Sequence, residues 1–521
     1  MLSKLNQSAS SPRRGLLACS RGPRDERRVS PYPLRNRVSQ ERLRFPRSVP
    51  NVPYDDLLQL PPNWDACLPQ GSGLTRTELA YILSRFFQIK CSWHKAICPR
   101  LFLRDLRSAL GSSERNILPQ KDHASAMLYN VIIAYSLGYS PERDHRSLEY
   151  RKLFALEAKK HFDAECNAPT LATVQALAML SAFHSGVAEQ GLSFTYLGTA
   201  IRVSQTLCLD GGNFGRRSAN REEIRFSFVF WNLYCLDKAC SLYVGRRQCL
   251  KHSSFEAANC KASAFPEAGL DPRLFNLSGS VLPEDEAFVA HVGLMQIASL
   301  IMEVLYLDDG LCRTDIDVAR VEQMSNVIDM WTTYLPQSLR GDIHDQENPP
   351  SVQVIMIKAI FEWISILLYQ PFFQDSKAIT FTSPSSSSLG VSGEAYNRIS
   401  RLCCKAKLSA PPAAFKITAL FEVFDHHYGL NLADNTVVQI VYAAGKIHLL
   451  NATHTPGYRY GDESPGQGVI RCIEILRKVG DTWSSGAASA KRLEELYRPI
   501  RGCQESAVEA VNPPSPPPPY S

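Results

Sequence analysis

From Thr75 onward, apolar positions recur at three- and four-residue spacing, and strict apolar–polar alternation is almost absent. In RTELAYILSRFFQIKCSWHKAI, Leu79, Ile82, Leu83 and Phe86 fall at i, i+3, i+4 and i+7, the stripe of an amphipathic helix. AMLYNVIIAYSLGY (126–139) is apolar almost all round, as a central helix would be. Thr170 reads as the N-cap of LATVQALAMLSAFHSG and Gly186 as its stop, and the helix's alanines would let a neighbour approach closely. FTYLGTAIRVSQTLCL places Leu197, Ala200, Ile201 and Ser204 on one side. A six-turn helix is predicted over 221–244, closed by Gly245, with others over 287–307, 317–334 and 352–370, the last ended by Pro371. Helices resume at 396–408, 415–428, 436–450 and 468–480. With no β-α-β spacing, the fold predicted is all-α and multi-helix.

Outside these segments the composition changes. Residues 1–74 hold Pro and Arg with little periodicity and read as a basic, disordered arm, because they bury too little apolar area to offset their ordering entropy. Residues 1–50 carry twelve Lys or Arg against three acids, whereas the rest of the chain carries 45 against 48. The expected layout is a helical body over 75–375, a Ser-rich linker over 376–395, further helices over 396–502 packing on the body, and a Pro-rich tail over 503–521. At roughly 150 residues per domain, 521 residues amount to three or four domain equivalents.

No apolar run follows the first charges, so no secretory signal is expected. No stretch reaches about 18 consecutive apolar residues, so no membrane partner is expected. Fifteen cysteines in such a chain are expected to be reduced thiols, and none are spaced C-x-x-C. Cys91, His94 and Cys98 would share one helix face, which permits chelation but equally describes a core stripe. The reading is core thiols, with no metal and no cofactor.

Catalytic constellations are missing: there is no G-x-S-x-G, H-E-x-x-H, Walker loop or G-x-G-x-x-G. Asp308-Asp309 lacks the third carboxylate of a magnesium-binding D-D-x-x-D. Asp425, His426 and His427 are adjacent on a helix and point about 100° apart, which suits solvent better than one shared ion. An enzyme is not expected.

The stretch EEIRFSFVFWNLYCLDKACSLYVGRR (222–247) resembles the signature of the fungal-specific transcription factor domain, the middle homology region of fungal zinc-cluster regulators. Trp231, Leu233, Tyr234, Leu236, Asp237, Lys238, Ser241, Leu242, Gly245 and Arg246 fall in register with it. MWTTYLPQSLR (330–340) is similar to the family's W-x-x-x-L-P-x-x-L motif, and the resemblance extends over roughly 75–450. Phe226, Ser227 and Phe228 stand where the family is commonly basic, and Arg247 replaces a proline. The family's DNA-binding module folds around two zinc ions and opens with C-x-x-C, but only Cys19 and Cys67 precede Thr75. The zinc module is therefore expected to be missing from this chain.

The resemblance implies a nuclear transcriptional regulator controlling a metabolic or biosynthetic gene set, with DNA as partner directly or through another subunit, and homo- or heterodimer contacts. The alternative is a non-DNA-binding co-regulator that tethers or titrates a full-length regulator. Asp237 would be buried and need a partner, for which Arg246 is the candidate. In the arm, Arg13, Arg14, Arg24, Arg27, Arg28, Arg42, Arg44 and Arg47 are candidate nuclear-import or phosphate contacts. At the other end, Pro517, Pro518 and Tyr520 form P-P-x-Y, which is similar to a WW-domain ligand because consecutive prolines pre-set polyproline II.

Overall fold

Thr75 starts the first helix, α1 (Arg76–His94), with a capping box in which Thr75 and Glu78 satisfy each other's backbone N–H. Leu79, Ile82, Leu83 and Phe86 are buried as the stripe predicts, and Lys90 and Trp93 continue the same face. The structure is a computed structural model, which describes residues 57–111, 118–209, 221–250, 285–306, 315–342, 349–373, 393–454 and 457–511. The chain divides into two units, Met1–Arg47 and Ser48–Ser521, and the described residues all belong to the second. The eight candidate arginines, Pro517, Pro518, Tyr520, Asp308-Asp309 and all but the end of the expected linker lie outside the described residues.

After α1 come α2 (Pro99–Gly111), α3 (Ala126–Ser136), α4 (Leu148–Lys160), α5 (Leu171–Gly186), α6 (Gln190–Thr206) and α7 (Arg221–Val244). The chain continues with α8 (Glu286–Leu305), α9 (Asp315–Tyr334), α10 (Val352–Phe373), α11 (Gly393–Tyr428), α12 (Thr436–His454), α13 (Pro465–Gly480) and α14 (Ser484–Val511). The fold is all-α: among the described residues the only β pairing is an isolated bridge between Tyr460 and Glu463. The α3 helix is buried on every side, and α6 buries Leu197, Ala200, Ile201 and Ser204, the predicted face.

Packing explains the architecture. The α5 helix pairs with α6 and α3, α10 with α11 and α8, and α13 with α12 and α14, while α1 touches α3, α8 and α10. The α8 and α10 helices are long and apolar enough to cross a membrane, yet 83% and 78% of those windows are buried against other helices. They are core helices of this fold.

Four expectations about element limits fail. The arm does not extend to residue 74, because Leu57, Leu60, Trp64, Leu68 and Leu74 are buried and Arg76 donates to the carbonyls of Leu58, Leu60 and Pro61. Pro371 does not end α10, which continues to Phe373. The break expected near 409–414 is absent: α11 runs through Pro411 and Pro412, flanked by buried Ala410, Ala413, Ala414 and Phe415. A helix-interior proline costs about 3 kcal/mol, and burial of this face against α10 outweighs it. Finally, α14 passes Cys503 and reaches Val511.

Candidate functional site

The signature helix α7 is a structural hub. Trp231 is 2% exposed and meets Phe230 and Tyr234 edge-on. Gly245 takes a left-handed φ of +67°, which favours glycine, and turns the chain back along the helix. The returning segment is held by Asp237, whose carboxylate accepts from the backbone N–H of Cys249 at 3.0 Å and of Leu250 at 2.9 Å. Lys238 closes the cluster, donating to Asp237 at 2.9 Å and to the Leu250 carbonyl. Burial pushes the Lys238 ammonium down, and Asp237 only partly restores it. Asp237 thus finds its partner in Lys238 and two backbone amides. Arg246, the expected partner, is exposed and stacks over Phe194 at 4.4 Å.

A second polar cluster, not anticipated from sequence, lies beside α7. Lys90 of α1 and Asp434, just before α12, form an ion pair at 2.7 Å with both side chains 1% exposed. Tyr135 of α3 donates to Asp434 at 2.8 Å. Burial pushes the Asp434 carboxyl up, but the Lys90 ammonium and bonds from Thr436 outweigh it, so the net direction is down. Trp93, His94 and His291 pack ring to ring, 5.0–5.4 Å between centroids. Burial holds His94 well below the usual histidine range and His291 at about 3, so both are neutral. Asn232 of α7 donates both amide hydrogens to His94, to its Nδ1 and its carbonyl, each at 2.5 Å. Lys90, His94, Gln175 and Asn232 line a small cleft whose wall includes Ala178 and Ala182.

Nearby, Arg151 is 1% exposed and donates to the carbonyls of Ala134 at 3.0 Å and Thr482 at 2.6 Å. Its guanidinium lies 4.2 Å from the Trp483 ring, and burial pushes it down to about 10. Trp483 in turn donates to the Ala433 carbonyl at 2.9 Å.

The other candidates take ordinary places. Cys91 and His94 are buried, Cys98 is exposed, and burial pushes the Cys91 thiol up to about 12, far from a metal-binding thiolate. Among the described residues no three His, Cys, Asp or Glu side chains gather where they could hold a metal ion. Asp425 pairs with Lys478 at 2.6 Å, and His426 is exposed beside it. Trp331 stacks on Phe361, 5.0 Å between centroids, and Leu335 and Leu339 of the same motif are buried.

Residues 83–332 match the family model described as the fungal specific transcription factor domain. The chain carries a fungal specific transcription factor domain. The family is one of transcription factors rather than enzymes. The chain is 23% identical over 434 residues to the nitrogen assimilation transcription factor nirA of Emericella nidulans, covering 78% of this chain and 44% of that protein. It is 21% identical over 495 residues to the nitrogen assimilation transcription factor nit-4 of Neurospora crassa, covering 85% and 41% respectively. The chain therefore spans less than half the length of these curated relatives. No solved structure matches it. The fungal specific transcription factor domain contains Trp231, Asp237 and Lys238, whereas Asp434 and Trp483 lie beyond its matched limits yet complete its core.

Proposed function

We propose that the chain is a nuclear transcriptional regulator of the fungal zinc-cluster type, acting on a metabolic gene set. The family match over 83–332 is the observation that carries this reading. Both relatives are named for nitrogen assimilation, which points to that gene set. DNA is reached directly or through a partner subunit, and the helical body is the regulatory rather than the DNA-reading part. The basic arm, with Arg13, Arg14, Arg24, Arg27, Arg28, Arg42, Arg44 and Arg47, is proposed to serve nuclear import or phosphate contact.

The test is to tether the full chain to a heterologous DNA-binding domain in a fungal host carrying the cognate reporter. A change in reporter output supports the reading; output equal to that of the untethered DNA-binding domain overturns it. Deleting residues 1–50 from a fluorescent fusion tests the arm, since unaltered nuclear accumulation would remove the import role.

A further inference from the structure

The solvent-facing side of α9 and α11 combines apolar side chains with positive charge that α9 only partly offsets. Arg398 and Arg401 of α11 reach Glu322 of α9 at 4.0 and 3.9 Å, and Lys405 reaches Asp329 at 2.6 Å. Arg398 to Lys405 and Glu322 to Asp329 are each a seven-residue step, so the two helices run side by side in the same direction. Each then shows an exposed apolar residue within a turn of the Lys405–Asp329 pair. Met330 follows Asp329 directly and is 40% exposed. Leu408, three residues past Lys405, is 76% exposed, more than any other large apolar residue described. Arg401, Cys404 and Leu408 fall at i, i+3 and i+7, one exposed stripe of α11.

A lone exposed leucine is ordinary, and its surroundings decide what this one can do. From Ala395 to Phe421 α11 contains no acid. Glu322 is shared by two guanidiniums, the Arg401 side chain is 71% exposed, and among the described residues Lys407 has no carboxylate partner. Arg401 and Lys407 therefore leave positive charge beside Leu408. Phosphate would answer the cations but gain nothing from Met330 or Leu408, which would stay wet. A helix with one apolar face and acidic flanks answers both, and the groove between two parallel helices has the shape to seat a third.

We infer that the α9–α11 face docks an acidic amphipathic helix of a partner protein, its apolar residues on Leu408 and Met330 and its carboxylates on Arg401 and Lys407. This goes beyond the regulatory reading and is measured without DNA or reporter, so its failure leaves that reading standing. The probe is a fluorescein-labelled helical peptide of Leu, Ala and Glu, about 18 residues or about 27 Å long, titrated with the full chain. Expected is a saturable rise in anisotropy, about tenfold weaker binding in Leu408→Ser, and a few-fold weaker binding in Lys407→Glu that fades as salt is raised. Both side chains are exposed, so both variants should melt like the wild type; Leu153→Ser, at an exposed leucine of α4, should bind like it. No saturable binding by the wild-type chain overturns the proposal. So does equal binding of the same peptide with Lys in place of Glu, or undiminished binding in Leu408→Ser. A labelled DNA duplex bound in place of the peptide and insensitive to Leu408→Ser would make this a phosphate surface. A wild-type dimer dissociated by Leu408→Ser would make it an interface between copies of the chain, and either result overturns the proposal.

Discussion

Trp231 has its whole indole inside the body, so Trp231→Ala should cost about 3–5 kcal/mol, the usual range for truncating a large buried aromatic. A melting curve indistinguishable from wild type would contradict that packing. The buried histidines give a pH signature. Burial holds His291 and His448 at about 3, whereas an unfolded histidine titrates near about 6.5. Between those values the unfolded chain binds protons that the folded chain refuses, so stability rises with pH across the window and drains away as pH falls from about 6.5. The slope is about 1.4 kcal/mol per pH unit for each histidine. His448 packs edge-on against Phe415, so His448→Leu should flatten the dependence. Denaturant midpoints for both proteins at pH 7.5 and 5.5 decide it, and parallel losses would sink the idea. At this scale the sequence was half legible. Trp231, Tyr234 and Gly245 announce themselves by their motif, but the partner of Asp237 is set by a backbone turn that no side-chain pattern encodes. Lys90 did leave a trace, as a lone charge continuing the stripe of Leu79, Ile82, Leu83 and Phe86.

The helices themselves were readable wherever one face was apolar and the other polar. α14 escaped because its apolar set is sparse: over 484–502, Ala490, Leu493 and Tyr497 are the buried apolar residues, at three- and four-residue spacing among charged neighbours. Pro411 and Pro412 misled in the opposite direction, since local propensity yields to packing against α10. Between elements, the Lys90–Asp434 pair ties α1 to the segment before α12. Lys90→Met should cost about 3–5 kcal/mol by stranding a buried carboxylate, and adding Asp434→Leu should recover much of that loss. Additive losses in the double-mutant cycle would show the two residues to be uncoupled. Helix approach matters equally where α5 meets Trp483. A Cβ at Gly186 would come within 2.3 Å of the Trp483 ring, so Gly186→Ala should destabilise by about 1–3 kcal/mol through overpacking. An unshifted thermal midpoint would argue that the ring can swing clear.

The whole molecule is larger than the homologous segment inside it. Residues 83–332 set the family match, yet Lys90 faces Asp434, Tyr135 bonds Asp434 and Asn435, and Arg151 bonds Thr482. A fragment cut at 83–332 should therefore show no cooperative thermal transition, whereas 57–511 should melt as a unit. A sharp transition in the short fragment would show that its core closes without the C-terminal helices. This dependence was not legible in the sequence, because sequence periodicity reports which face of a helix is buried and not against what. Gly138 and Thr482 touch across 344 positions of chain. A ribosome adding about 5–20 residues per second needs tens of seconds to make that stretch. During that interval the emerging α1 and α3 expose a lysine, tyrosines and a broad apolar face whose lasting partners do not yet exist. Cells making this protein must shield its first half until its last hundred residues arrive.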